Sequence, residues 1–242
     1  MGVRADLERF VSNRGNCTGV DQCTKVVRVE VNRGADIVKL RQAGATAFNP
    51  KIAMVESESE VKAIINTAHK LDRKVAAHVT GSPEYLHMVI AAGADTIEHG
   101  PLDDVAIKMM KERGTAYTPT LLAAKMINYR FEEASSGAGK AYRSGVMIVY
   151  GTDLGIMGPK RSHEEFALMV AAGIPADQVL RSATLNAAIA LGRADTLGSI
   201  AQGKAADLIA MKVDPLTHMD QLGSDEGVTF VMKSGQVVKG DK

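Results

Sequence analysis

Four residues of this chain have types and positions that could do chemistry together: Lys39, His78, His99 and Asp153. Each falls at or just past the end of a short apolar run, the place where α/β barrels carry their reactive groups. Neutral imidazole suits zinc and similar divalent ions, and a carboxylate serves as a further ligand or as the base that takes a proton from a metal-bound water. Lysine joins such a set only when carbon dioxide converts its amine to a carbamate, which requires the amine to lose its proton first. Taken singly, each has a plainer reading: a core histidine bonded to backbone, a snorkelling strand-end lysine, an aspartate that opens a turn. Their joint occurrence at successive strand ends favours a divalent-metal site with zinc foremost, with Asp153 as the catalytic base. Tyr117, His163 and Arg161 are the expected substrate contacts, His163 because it stands in the loop entering the next helix.

The elements that must position these residues alternate strand and helix, as parallel strands joined by crossover helices do. A helix is expected over Val20 to Arg33, ending at Gly34, and a first strand over Ala35 to Leu40. Ser57 to Glu60 reads as a capping box opening a helix to about Leu71, followed by strand Val75 to Val79. Ser82-Pro83 opens a helix stopped by Gly93. Strand Thr96 to His99, a helix over Asp103 to Arg113 and strand Thr115 to Thr120 come next. A looser helical stretch, with a surface break at Ser135 to Gly139, leads to strand Val146 to Gly151. Helices are expected over Ser162 to Ala172 and Ala176 to Leu191. After Gly198 the texture changes to short strands, Asp207 to Val213 and Val228 to Val238, with a hairpin turn at Ser234-Gly235. The expected architecture is α/β: a partial TIM-type (β/α) barrel of about five βα units over residues 1–197, and a small C-terminal β element over 198–242.

Composition bounds the partners. Lys and Arg (29) balance Asp and Glu (28) across 242 residues, and no block of one sign could track a phosphate backbone, so nucleic acid is not expected. No apolar run is long enough to cross a bilayer and Met1 to Phe10 is charged, so a cytoplasmic protein without membrane contact is expected. Cys17 and Cys23 are not spaced as a CxxC pair and are expected to be ordinary thiols.

The runs GADIVKL, KVAAHVTG, AGADTIEHG, GTAYTPTL, YGTDLG, SATLNAAIALG and LGSIAQGKAADLIAM, in this order, resemble successive blocks of the metal-dependent amidohydrolase superfamily. They are most similar to its imidazolonepropionase-related and Xaa-Pro dipeptidase-like branch, and the likeness runs from about Val20 onward. The resemblance implies that Lys39 is a carbamylated bridging lysine, that His78 and His99 bind one metal, and that Asp153 binds the other and shuttles the proton. It also implies hydrolysis of small-molecule amide, dipeptide or ester bonds, with phosphotriesters and lactones as promiscuous substrates, and it likens the tail to the β-sandwich that flanks these barrels. The family's first strand ends in His-x-His, which this sequence lacks. The chain thus reads as an N-terminally truncated member, and two functions stand side by side: a metal-dependent hydrolase, or a fragment without native catalysis that acts in binding or assembly. An uncovered first strand calls for a cover, either a second copy in a homodimer or higher homo-oligomer, or the segment Met1 to Asn16.

Overall fold

The computed structural model describes residues 17–41, 56–80, 82–100, 102–153, 155 and 161–240. The chain divides into two compact units, Met1–Asp95 and Thr96–Lys242. The segment Met1 to Asn16, one of the two expected covers, lies outside the described residues.

In the first unit, helix α1 (Val20–Asn32) is followed by strand β1 (Ile37–Arg41), helix α2 (Glu58–Lys70), strand β2 (Lys74–His78) and helix α3 (Pro83–Ala92). β1 and β2 are parallel, with Lys39 opposite Ala76 and Arg41 opposite His78. Side chains alternate across a strand, so Leu40 on one face and Lys39 and Arg41 on the other differ in burial: Leu40 is buried, the two cations exposed. Val75 and Ala77 are fully buried with Val61, Ile65 and Ala68 of α2 and Val89 and Ile90 of α3. The expected caps form as the local sequence dictates. The Ser57 hydroxyl accepts from the Glu60 N–H while the Glu60 carboxylate accepts from the Ser57 N–H at 2.7 Å. α3 ends on Gly93 in the left-handed conformation that a side chain resists.

Asp95 closes this unit. Its carboxylate accepts from Lys74 Nζ, from the Val75 N–H and from the His69 ring, each at 2.8 Å. Burial alone would push the Asp95 carboxyl up; the hydrogen bonds from Lys74, His69 and Val75 outweigh it and hold the group below its ordinary range. The two cysteines depart from expectation. Cys17 and Cys23 are joined in a disulfide, because Cys17 lies just ahead of α1 and Cys23 in its first turns, bringing their Cα atoms to 4.9 Å.

The second unit continues the alternation with strand β3 (Thr96–Glu98), helix α4 (Asp104–Arg113) and strand β4 (Ala116–Thr118), β3 and β4 again parallel. Helices α5 (Leu121–Met126) and α6 (Phe131–Arg143) follow. The expected fifth strand joins β4 through one parallel bridge, Tyr117 to Ile148, in which Tyr117 donates to the Met147 carbonyl and accepts from the Val149 N–H. Helices α7 (Glu164–Ala171), α8 (Ala176–Ser182) and α9 (Leu185–Ala190) come next, and α7 packs against α5, α6 and α8. Strands β5 (Leu208–Met211), β6 (Val228–Lys233) and β7 (Gln236–Lys239) form a separate antiparallel sheet, with Ser234 and Gly235 both at positive φ in the hairpin turn.

Two local expectations are corrected. Ser135 to Gly139 is no surface break but the middle of α6, with Gly137 and Gly139 buried. A side chain at Gly139 would put its Cβ 2.0 Å from the Ala172 carbonyl oxygen, so the glycine is there for close helix approach, not for a turn. The single helix expected over Ala176 to Leu191 is two, broken at Thr184 (φ −118, ψ −93), whose hydroxyl bonds back to the Leu180 carbonyl.

Candidate active site

Within the second unit, three successive strand segments end on a non-glycine residue in the left-handed region: His99 at φ 68 after β3, Thr120 at φ 49 after β4, and Asp153 at φ 52 after the Val146 to Gly151 segment. Such conformations cost on the order of 1–3 kcal/mol each and cluster where function demands a particular side-chain aim. Here they turn the three side chains toward one another. The His99 Nδ1 lies 2.7 Å from Thr120 Oγ1, and the His99 Nε2 lies 3.9 Å from Asp153 Oδ2. The His99 side chain is 15% exposed and that of Asp153 42%, so the pair has a sheltered and a solvent-facing member. The bond between Nδ1 and the threonine hydroxyl holds the ring plane so that Nε2 faces Asp153.

Tyr117 holds this turn from below. Fully buried, it donates from its hydroxyl to the Gly100 carbonyl at 2.6 Å, while the His99 N–H donates to the Thr118 carbonyl. Burial, and then the Glu165 and Glu98 carboxylates, push the phenol above its ordinary range. Tyr117, expected as a substrate contact, is fully buried here on β4, and its hydroxyl buttresses the backbone that carries His99.

Glu165 was not singled out by sequence reasoning. It has no exposed surface, and its two carboxylate oxygens accept from the backbone N–H groups of Leu121 (2.8 Å) and Leu122 (2.6 Å) at the start of α5. Burial pushes its carboxyl up to about 7, against the two backbone hydrogen bonds that favour the charged form. Its neighbour Glu164 behaves differently, reaching solvent to pair with the Arg161 guanidinium. Arg161 is therefore engaged with Glu164 and touches Met126 Sδ at 3.7 Å. His163 stands at the N-terminal end of α7, partly exposed and without a capping hydrogen bond.

Lys39 and His78 lie in the first unit. Lys39 is exposed, and His78, partly buried at the end of β2, has its Nε2 3.4 Å from Thr80 Oγ1.

The model of the Amidohydrolase family matches residues 1–238. This chain is an amidohydrolase-family protein. It is 30% identical to the ochratoxinase of Aspergillus niger, a match covering 92% of this chain and 50% of the relative. It is 28% identical to the imidazolonepropionase of Thermoanaerobacter pseudethanolicus, over 75% of this chain and 43% of that one. Among solved structures it is similar to a Xaa-Pro dipeptidase with methionine bound in its active site, at TM-score 0.85 and 32% identity, covering 93% of this chain and 59% of that chain. The chain spans about half the length of the curated relatives it matches. Its fold is accordingly the α/β arrangement of an amidohydrolase barrel in part, with a small antiparallel C-terminal sheet.

Members of the family generally bind a divalent metal. The donor chemistry at the second-unit strand ends fits one edge of such a site. Two zinc ligands at ordinary bond lengths stand about 3.4 Å apart in a tetrahedron, and the 3.9 Å between His99 Nε2 and Asp153 Oδ2 is close to that. A closed site needs more donors than these two. Among the described residues, no group of three or more His, Cys, Asp or Glu side chains is placed to hold a metal ion. Among the described residues, no helix is long and apolar enough to cross a membrane.

Proposed function

We propose that this amidohydrolase-family chain acts as a metal-dependent hydrolase of small-molecule amide, dipeptide or ester bonds. The observation that carries the reading is the aimed pair His99 and Asp153, each on a left-handed strand end, with the far side of the imidazole tied to Thr120. A divalent ion, zinc foremost, held by His99 and Asp153 would lower the pKa of a water and polarise the scissile carbonyl or phosphoryl oxygen. The resemblance adds His78 and a carbamylated Lys39 as donors of the first unit. His99 offers the Nε2 lone pair while Thr120 keeps the ring from rotating. Asp153, the more exposed of the pair, accepts a proton at its carboxylate and returns it to the leaving group. His163 and Arg161, both near the start of α7, are the proposed substrate contacts; Arg161 would exchange Glu164 for an anionic group on the substrate. The similarity to a Xaa-Pro dipeptidase supports amide-like substrates first, and the family resemblance adds phosphotriesters and lactones as side reactions.

The test is elemental analysis of the purified chain, together with hydrolysis of N-acyl amino acids, Xaa-Pro dipeptides and activated esters with and without a chelator. At least one metal per chain and chelator-sensitive turnover are expected, with most of the metal lost in His99→Ala and His78→Ala. Under one equivalent for every several chains, with turnover indifferent to chelation, overturns the reading. It would favour instead a folded chain that acts in binding or assembly, the alternative that the missing His-x-His motif supports. For assembly, we propose that a second copy covers the side of β1 away from β2, where the described residues place no strand. Light scattering should then give a dimer or larger particle, and a stable monomer would count against it.

A further inference from the structure

Thr120 is the residue before α5, where a threonine ordinarily turns its hydroxyl onto the first backbone N–H groups of the helix. It makes no such bond. Its Oγ1 lies instead 2.7 Å from His99 Nδ1, and the N–H groups of Leu121 and Leu122 are taken up, one per oxygen, by the Glu165 carboxylate reaching across from α7. The arrangement is a division of labour. Orphan N–H groups at a helix start must be satisfied, and a buried helix start with no other acceptor would draw the threonine hydroxyl back. A β-branched residue at φ 49 is also intrinsically unfavourable, so something must hold it there. Two short bonds, one to each carboxyl oxygen, from the N–H groups of the next two residues are suited to that task.

We propose that Glu165 is a positioning residue for His99: by capping α5 from a different helix, it releases the Thr120 hydroxyl to fix the imidazole. As a metal-site device this rests on the hydrolase reading above; the coupling among Glu165, Thr120 and His99 does not. Glu165 touches neither substrate nor metal in this scheme, and it acts through one intervening residue.

The experiment is long-range ¹H–¹⁵N spectroscopy of the histidine rings in the full chain, stripped of metal, for wild type, Glu165→Gln, Thr120→Val and the double variant, with Thr120→Ser as the conservative control. Gln accepts through one oxygen and presents an NH2 to the second backbone donor, so the α5 cap is half lost. Glu165→Gln is expected to move the His99 Nδ1 and Nε2 signals in the direction that Thr120→Val moves them. The double variant should add nothing to Thr120→Val, and Thr120→Ser should restore the wild-type signals. A second readout is zinc affinity, expected to weaken about tenfold in Glu165→Gln, as loss of a group that orients a ligand does. His99 signals unchanged in Glu165→Gln, or shifts that add to those of Thr120→Val, overturn the proposal and leave Glu165 a cap alone. Should Glu165→Gln not fold, Glu165→Asp, which keeps the charge but cannot span both donors, is judged by the same comparison. If wild type binds no zinc, the hydrolase reading fails while the ring signals still decide this one.

Discussion

The two units end their parallel strands in different ways. In the first, Lys39 lies within β1 and His78 at the end of β2, both in ordinary extended backbone, and among its described residues the non-glycine position at positive φ is Asp72, in the turn after α2. In the second, His99, Thr120 and Asp153 are all left-handed. The first unit concentrates its polar groups on holding elements together: a capping box, a disulfide, and Asp95 under three donors. The second uses equally strong polar groups to hold strained ones in place: Tyr117 under Gly100 and Glu165 under Leu121 and Leu122. Strain accompanied by dedicated support marks the unit where aim matters more than stability.

Substitutions can break this contrast, and the largest effect is expected at Asp153. Asn tolerates φ 52 about as well as Asp does, so Asp153→Asn should leave the unfolding midpoint nearly unmoved while lowering kcat by about 10²–10⁴. Equal loss of fold and rate would reassign Asp153 to structure. Next is Glu165. Its folded carboxyl titrates near 7 and its unfolded one near 4.5, so between those values the folded chain keeps a proton that the unfolded chain has released. Stability should therefore fall as pH rises through that window, by on the order of 3 kcal/mol, and level off above it. Urea midpoints measured across the window should lose this component in Glu165→Gln; an identical slope in both proteins would refute it. In the first unit, Asp95→Ala should cost about 2 kcal/mol and speed amide exchange at Val75 without altering turnover. Because the Asp95 carboxyl is held low, its contribution is present at neutral pH and lost as pH falls, the opposite sign to Glu165. Smallest is Ser57→Ala, about 1 kcal/mol in thermal unfolding, with no change in rate.

Much of this was legible in the sequence where the signal is local. Ser57, Ser82 and Asp103 cap the helices they precede, and the glycines after α3 and α4 end them, because each such device is written within four residues. His99 and Asp153 were legible as strand ends, since barrel chemistry sits there. Glu165 was not. Adjacent glutamates at a helix start look like favourable first-turn charges, and which of them turns inward depends on packing. A signal existed all the same: Glu165 lies four residues before Met169 and beside Phe166, on the buried stripe of α7, where an unexplained carboxylate should draw notice. The disulfide is not legible in a pair of cysteines without CxxC spacing; it depends on a helix start that brings residues six apart within reach. The role of Gly139 is not legible in composition, because glycine serves both turns and close packing.

That last glycine has a consequence for mutational tolerance. Any side chain at 139 drives into the carbonyl at the end of α7, and α7 is the helix that carries Glu165. A saturation library should therefore record position 139, midway along a helix with no reactive group of its own, as a site where substitution is read out in activity. Its suppressors would be expected at the residues that let α7 slide.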